Sequence, residues 1–370
     1  MKKYKILKIS LISLAILLTV FFIGAYAMFG TQFKAANTIK KLDNHLYSME
    51  YAGDYGFDTF LAQGGAASDA KMADYIASFL SHGFWKPDTT SLPENDFGCS
   101  TIAVKNTDGK PIFGRNYDWE SCDTMIVHTK PQNGWESVST VCLDFLGFGK
   151  DWVPTDGIQN RFLALAAVYV PLDGMNERGL CVAVLMAGDK EETHQNTDKP
   201  DLTVTAAIRL LLDHAANIDE ALSLLSEYDM NSSIGSAHHF SLMDATGRSV
   251  VVEYVGNKMI VTETAVVTNH YLSDCEKKGV GSEESHLRYN TLARLFHEKS
   301  GIMTTDEVAA CLAGVAQKNF PDSNEQTQWS IVYSPSERTM EFYFRENYEK
   351  TYPIRLCNKE GSWLLSPKNK

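Results

Sequence analysis

FGCSTIAVKNTDGKPIFGRNYDW, residues 97–119, holds the first cysteine of a 370-residue chain, Cys99, placed directly after a glycine. Two short apolar runs, STIAV and PIFGRNYDW, flank NTDGK, whose Asp-Gly pair is a hairpin signal. A hairpin here folds the second run back onto the first and returns Arg115 and Asp118 beside Cys99. A cation in that place favours the thiolate, and a carboxylate there can hold and orient an α-ammonium. The stretch therefore reads both as the first hairpin of a sheet and as a candidate site. Taken alone, Arg115 and Asp118 are equally an exposed strand-end pair worth little, and Cys99 an ordinary strand-edge thiol.

Upstream of Cys99 the chain reads as packaging. MKKYKILK is basic, and residues 9–29 form an uncharged apolar run long enough to span a bilayer core of ~30 Å. Positive charge ahead of such a run keeps the N-terminus inside and exports the rest. Residues 1–30 are thus expected to be a signal anchor or a cleaved signal peptide, which places the remainder outside the cytoplasm. Residues 31–98 are expected to be a helical prosegment removed on maturation. It has one helix at 38–51 and a better-marked one in SDAKMADYIASFL, with Ser68 as N-cap and Met72, Ile76, Phe79 and Leu80 on one face. WKPDTTSLPENDFG then reads as an exposed connector. A cut at Gly98–Cys99 would leave the thiol beside its own α-amine, whose ordinary pKa of ~7.7–8.0 suits it to take the thiol proton near neutrality.

Downstream, residues 99–370 are expected to form one catalytic domain. FLALAAVYV and GLCVAVLMA are continuous apolar runs, expected as strands covered on both faces. Helices are expected at 202–216 and 218–228. A meander follows over 238–263, with turns at Thr246-Gly247 and Gly256-Asn257, and AVVTNHY adds a strand. Helices at 285–297 and 305–317 precede a closing hairpin, WSIVYSPSERTMEFYF. Strands grouped with strands and helices in pairs imply stacked layers, with helices outside two mainly antiparallel sheets.

Hydrophobic residues at 44% and aromatics at 11% suit a globular chain. A formal net charge of −12 repels a polyphosphate backbone, so nucleic acid is excluded as a partner. The seven cysteines contain no Cys-x-x-Cys pair. Cys142 and Cys181 lie in apolar runs and read as core, and an odd count leaves one thiol unpaired, with Cys99 the candidate. His238 and His239 are adjacent in a strand and point to opposite faces, so they do not chelate one metal together. No metalloprotease, phosphate-loop or serine-hydrolase motif is present, and no metal or cofactor is expected. Asn269, just past an apolar strand, offers an amide to an oxyanion; His270 beside it is the alternative, as a partner for a cysteine.

In chain order, Cys99, GRNYDW with Arg115 and Asp118, DGMNERGL, VTNHY with Asn269 and SHLRYN with Arg288 resemble the choloylglycine hydrolase family. These linear-amide C–N hydrolases include bile-salt hydrolases and penicillin V acylases and belong to the N-terminal-nucleophile superfamily. The resemblance implies an α+β, four-layer αββα fold with two mainly antiparallel sheets between helical layers. It implies Cys99 as nucleophile with its own amine as base, Arg115 and Asp118 attending thiol and amine, Asn269 donating to the oxyanion, and Arg288 in support. It also implies an oxyanion donor shortly after NERGL; that place is Met186, which offers only its backbone N–H. Asn176 of DGMNERGL is assigned to the substrate loop. Phe145, Phe148 and Trp152 of DFLGFGKDW, with Leu146, are assigned to an apolar lip for the acyl group or else to the core.

The long segment ahead of Cys99 separates this chain from bile-salt hydrolases, which lose only an initiator methionine. It is more like penicillin acylases and acid-ceramidase-like acylases, which free their cysteine by autoproteolysis. The expected function is an exported cysteine amidase, self-cleaved at Gly98–Cys99, that hydrolyses the linear amide of an N-acyl compound of the penicillin V, conjugated bile acid or fatty-acyl amide type. Its partners would be that small molecule and the membrane, through the N-terminal segment; a homo-oligomer is compatible with the sequence. Two other readings are a thiol protease or transglutaminase-like enzyme using Cys99 and His270 uncut, and an anchored binding protein without catalysis.

Overall fold

The hairpin expected around Cys99 forms. In the computed structural model, Gly98–Lys105 pairs antiparallel with Pro111–Trp119, in a register that sets Gly98 opposite Asp118 and Cys99 opposite Tyr117. The structure describes residues 2–84, 98–120, 122–149, 151–188, 190–233, 235–318, 326–358 and 362–369, and among these the side chains of all but 2–15, 18, 21 and 22. All of the proline-containing connector except Gly98 lies outside the described residues.

The hairpin belongs to a seven-stranded sheet in the order Val266–Val267, Gly98–Lys105, Pro111–Trp119, Gln326–Ser334, Thr339–Phe344, Lys350–Arg355, Lys368–Asn369. Period-two alternation sorts its side chains. Ile102, Val104 and Ile112 pack with Leu292, Val308 and Leu312, from the helices Glu283–Glu298 and Thr305–Gly314. Cys99, Ala103, Phe113 and Tyr117 face the other way, into the main core. There the Thr101 and Ser241 hydroxyls meet at 2.8 Å, joining the two sheets.

The second sheet has nine strands, in the order Lys40–Asp43, Leu46–Ala52, Thr124–Lys130, Ser137–Cys142, Asp173–Asn176, Cys181–Met186, His238–Met243, Ser249–Val255, Lys258–Glu263. Its outer face is covered by the helices Val204–His214 and Ile218–Leu225; a Cβ placed on Gly174 would meet Leu212 at 2.8 Å. Four layers, helix–sheet–sheet–helix, result, as expected, and Cys142 and Cys181 lie fully buried in the core.

Two expected elements differ. Residues 162–170 are not a strand but the end of the helix Gly157–Ala164 and a 3-10 turn, Leu165–Tyr169. A short apolar run has the same look in a buried helix as in a buried strand, and three alanines among those nine residues suit the helix. Residues 38–51 are not helical either. They form the hairpin Lys40–Asp43 with Leu46–Ala52, and the second strand pairs parallel with Thr124–Lys130 over seven residues. The expected separate helical unit at 31–98 is therefore corrected. Only its second helix, Asp69–Ser81, stands as expected, with Ser68 accepting from the Lys71 N–H, while the strand is built into the larger sheet.

The chain enters this body on a long helix, Lys2–Thr38, that carries the apolar run of residues 9–29. Its C-terminal end is buried at Gln32, Ala35 and Ala36 and is held by Arg161, which donates to the Ala36 and Ile39 carbonyls at 3.0 Å. Among the described residues no helix is long and apolar enough to cross a membrane.

Candidate active site

The hairpin register decides where each charge stands. Arg115 shares the inner face with Cys99 and hydrogen-bonds its side chain. Asp118, three residues on, points to the opposite face, beside Gly98. Arg115 is fully buried and donates to the Asn116 carbonyl at 2.6 Å, the Val184 carbonyl at 2.9 Å and the Asp173 carboxylate at 3.3 Å. Asp118 is likewise fully buried, accepts from the Thr327 hydroxyl at 2.5 Å and faces the Arg288 guanidinium at 3.6 Å.

Asn269 and Arg288 close the site from outside the hairpin. The Cys99 N–H donates to Asn269 Oδ1 at 2.6 Å, and Arg288 donates to the same oxygen at 3.0 Å. Arg288 also donates to the Cys99 carbonyl at 2.5 Å. Both backbone groups of Cys99 are thus gripped by side chains, where a strand residue usually spends them on its neighbour. Asn269 Nδ2 donates to the Met186 carbonyl at 3.0 Å. In an extended strand a residue's N–H and carbonyl leave on the same edge, so the Met186 N–H lies on the edge that faces Asn269. Cys99, Arg115, Asp118, Asn269, Arg288 and the backbone of Met186 are therefore brought together from five elements of the fold.

Burial raises the Cys99 thiol above its ordinary value; Arg115 lowers it in turn and Asp118 adds to the rise. Burial also raises Asp118, against the pull of Arg288 and Thr327. A buried thiol held protonated in this way needs a base at hand. His270 is not placed to be one. The chain turns at Asn269, with the His270 N–H donating to the Thr268 carbonyl at 3.1 Å, and the His270 ring lies 3.0 Å from the Ser285 hydroxyl, 3.1 Å from that of Thr268, and packs on His286 and Tyr289. Burial, with His286 and His239 beside it, lowers it to about 4.

Gly98 answers why a glycine precedes this cysteine. A Cβ there would meet Gln317 Nε2 at 2.5 Å and the Asp118 carboxylate at 2.8 Å. The bond before Cys99 is threaded through a space that admits no side chain, and Asp118 forms its wall.

Other expected site residues stand elsewhere. Asn176 is corrected: its amide donates to the Leu212 and Ala215 carbonyls and accepts from the Arg178 and Leu180 N–H groups. It ties its turn to the outer helix layer, away from Cys99. The DFLGFGKDW residues divide. Phe145 packs edge-on against Trp119 with centroids 5.6 Å apart, whereas Phe148 packs on Trp152 at 5.2 Å. Phe148 also lines an apolar cavity of about 390 Å³ with Phe29, Ile76, Leu80, Phe84 and Phe162. Asp173, read from the sequence only as part of a turn, is the functional-looking residue that was missed; its signal is an acid that directly follows the apolar run ending at Leu172 and opens the strand Asp173–Asn176.

Comparison with known proteins adds three findings. A family described as acyl-coenzyme A:6-aminopenicillanic acid acyl-transferase matches residues 104–349. No curated protein matches the chain. Among solved structures, two variants of the conjugated bile acid hydrolase from Clostridium perfringens superpose with a TM-score of 0.52 at 17% and 18% identity, covering 74% of this chain and 96% of theirs. The penicillin V acylase from Agrobacterium tumefaciens gives a TM-score of 0.48 at 18% identity, over 70% of this chain and 87% of that one. The first two share the fold described above.

Proposed function

We propose, from the premise that this chain belongs to the acyl-coenzyme A:6-aminopenicillanic acid acyl-transferase family, that it is an exported amidase whose nucleophile is Cys99, freed by self-cleavage at Gly98–Cys99. The observation that carries this is the double grip on Cys99: Asn269 Oδ1 on its nitrogen and Arg288 on its carbonyl, with both partners buried. A peptide N–H in a strand has no need of a dedicated side chain. A nitrogen that becomes an α-amine and must lose and gain protons in a fixed place does.

In the processing step the thiol attacks the Gly98 carbonyl, and the peptide nitrogen leaves as the Cys99 amine. Water then opens the thioester, releasing the Gly98 carboxylate. In turnover the amine takes the thiol proton while sulfur attacks the substrate carbonyl. The proton passes to the departing amine, and water hydrolyses the acyl-enzyme. The remaining Nδ2 hydrogen of Asn269 and the Met186 N–H are the proposed oxyanion donors.

The acyl group is proposed to be apolar and to occupy the cavity of about 390 Å³. Six of its lining residues, Phe29, Ile76, Ala77, Leu80, Ser81 and Phe84, precede Cys99 in the chain, so the segment ahead of the cut walls this cavity. Export rests on the basic start and the apolar run of residues 9–29. Ile16, Leu17, Val20, Ile23 and Met28 of that run are exposed. An anchor in a bilayer would bury them.

Intact-mass analysis of the purified protein tests the proposal together with hydrolysis of phenoxyacetyl and long-chain acyl anilides. A fragment beginning at Cys99, anilide hydrolysis, and full-length precursor from Cys99→Ala are expected. An uncut wild-type chain that hydrolyses neither anilide overturns it.

A further inference from the structure

Arg115 sits beside the Cys99 thiol, yet its charge is not spent on the thiol alone. The Arg115 and Asp173 side chains are both fully buried, with Nε and Oδ2 at 3.3 Å. Asp173 is fixed from three more sides: Trp329 Nε1 donates to Oδ2 at 2.8 Å, the Tyr333 hydroxyl to Oδ1 at 3.1 Å, and Thr140 adds a further bond. These donors come from Gln326–Ser334 in one sheet and Ser137–Cys142 in the other. The carboxylate therefore stands between the sheets in a fully provided seat.

We propose that Asp173 is a positioning residue of the reaction: it holds the Arg115 guanidinium against Cys99 and cancels its charge, so that the thiol keeps its proton until the α-amine takes it. An arginine left uncancelled in a buried site would favour a permanent thiolate. Asp118 and Arg288 form a second cancelled pair on the other face of the hairpin, 3.6 Å apart. Cys99 thus lies between two neutral pairs. Beside Arg115 and Asp173 the other titratable groups are Tyr117, with Cys122 and Cys142 behind it, and Tyr333, with Cys181 behind it; Glu346 and Tyr348 face Asp118, and His270 faces Arg288. Among the described residues Asp173 is the carboxylate that Arg115 hydrogen-bonds.

The inference rests on the proposed role of Cys99 and its amine, and its test needs no substrate. The rate of Cys99 alkylation by iodoacetamide is followed against pH, with mass spectrometry assigning the site. In the wild type the rate is expected to climb through the α-amine range, about 7.7–8.0. In Asp173→Asn the climb is expected to shift to lower pH by roughly one unit or more, and Asp173→Glu, which keeps the charge, should restore the wild-type position. A loss of rate equal at every pH would mean that Asp173 only supports the fold, and would overturn the proposal. Should Asp173→Asn not be recovered folded, because a lone buried arginine is costly, the wild-type profile decides. A rate already flat between about pH 5 and 7 would mean that the thiolate forms without the amine, contrary to a cancelled arginine. A chain inactive on every amide would sink the amidase proposal and still yield this profile.

Discussion

Asn269 makes three contacts with one amide: to the Cys99 nitrogen, to Arg288 and to the Met186 carbonyl. Its neighbour His270 makes none of these. The expected kinetic contrast follows directly. In the processed fraction, Asn269→Ala should lower kcat by ~10²–10³ with little change in KM, the scale of losing one oxyanion donor. His270→Ala should keep kcat/KM within a few-fold, since the loss of a general base costs ~10²–10⁴. Steady-state kinetics on a chromogenic acyl anilide decide both, and equal damage from the two substitutions would contradict the assignment. That Cys99, Arg115, Asp118 and Asn269 come together was legible from the hairpin signal and from a strand end, and the register sets them beside one another. Asp173 was not. Its role depends on a partner in a different sheet, and nothing in DGMNERGL says which side chain across the core its acid will meet. Asn176, three residues on, shows the converse: a motif residue whose amide is wholly consumed by the turn that makes the motif recognisable.

The element that overturned the sequence reading is Leu46–Ala52. Within LYSMEYA, Tyr47-Ser48-Met49-Glu50-Tyr51 alternates apolar with polar, a strand signal that a helix over 38–51 ignores; parallel pairing with Thr124–Lys130 builds it into the sheet. Such a strand is held by its ladder and by Tyr47, Met49 and Tyr51, all buried. Cutting the chain at Gly98–Cys99 removes none of these contacts. The N-terminal fragment is therefore expected to stay bound after cleavage and to leave only when the whole body unfolds. Size-exclusion chromatography of the processed protein in native buffer should elute both fragments together, and denaturant should separate them. A C-terminal fragment that elutes alone, folded and active, would refute this. The run at 162–170 was misread for a different reason: burial on all sides erases the periodicity that tells helix from strand. The closing hairpin and the meander were read correctly because turn residues separate their β-branched and aromatic runs, and both late helices because they carry the caps Ser282 and Thr304.

At the scale of the whole molecule, buried titratable groups set an acid limit to stability. Burial works to raise Glu253, but His239 and the N–H groups of Ser273 and Leu272 prevail and hold it at about 2, against an ordinary 4.5. A carboxylate depressed on folding contributes stability that is full above its unfolded value and is lost as pH falls toward its folded one. His270, lowered to about 4 from 6.5, acts in the same direction, because the unfolded chain takes up its proton first. Urea midpoints should therefore fall as pH drops below about 6.5 and more steeply below about 4.5, and Glu253→Gln should lose part of the steeper fall. Parallel midpoint curves for variant and wild type between about pH 6 and 3 would rule this out. The four-layer order was legible from the sequence because strands and helices come in blocks; the N-terminal strand was hidden because it joins its sheet out of turn.

The helix Lys2–Thr38 runs unbroken from the N-terminal end into the buried seat formed by Ala35, Ala36 and Arg161. At ~1.5 Å per residue it is a rod of about 55 Å without a joint. Whatever fixes its far end also fixes the compass bearing of the body: one residue inserted into the rod turns everything beyond it by about 100°. The mouth of the cavity that begins at Phe29 would then face a different quarter, with every contact inside the body unchanged.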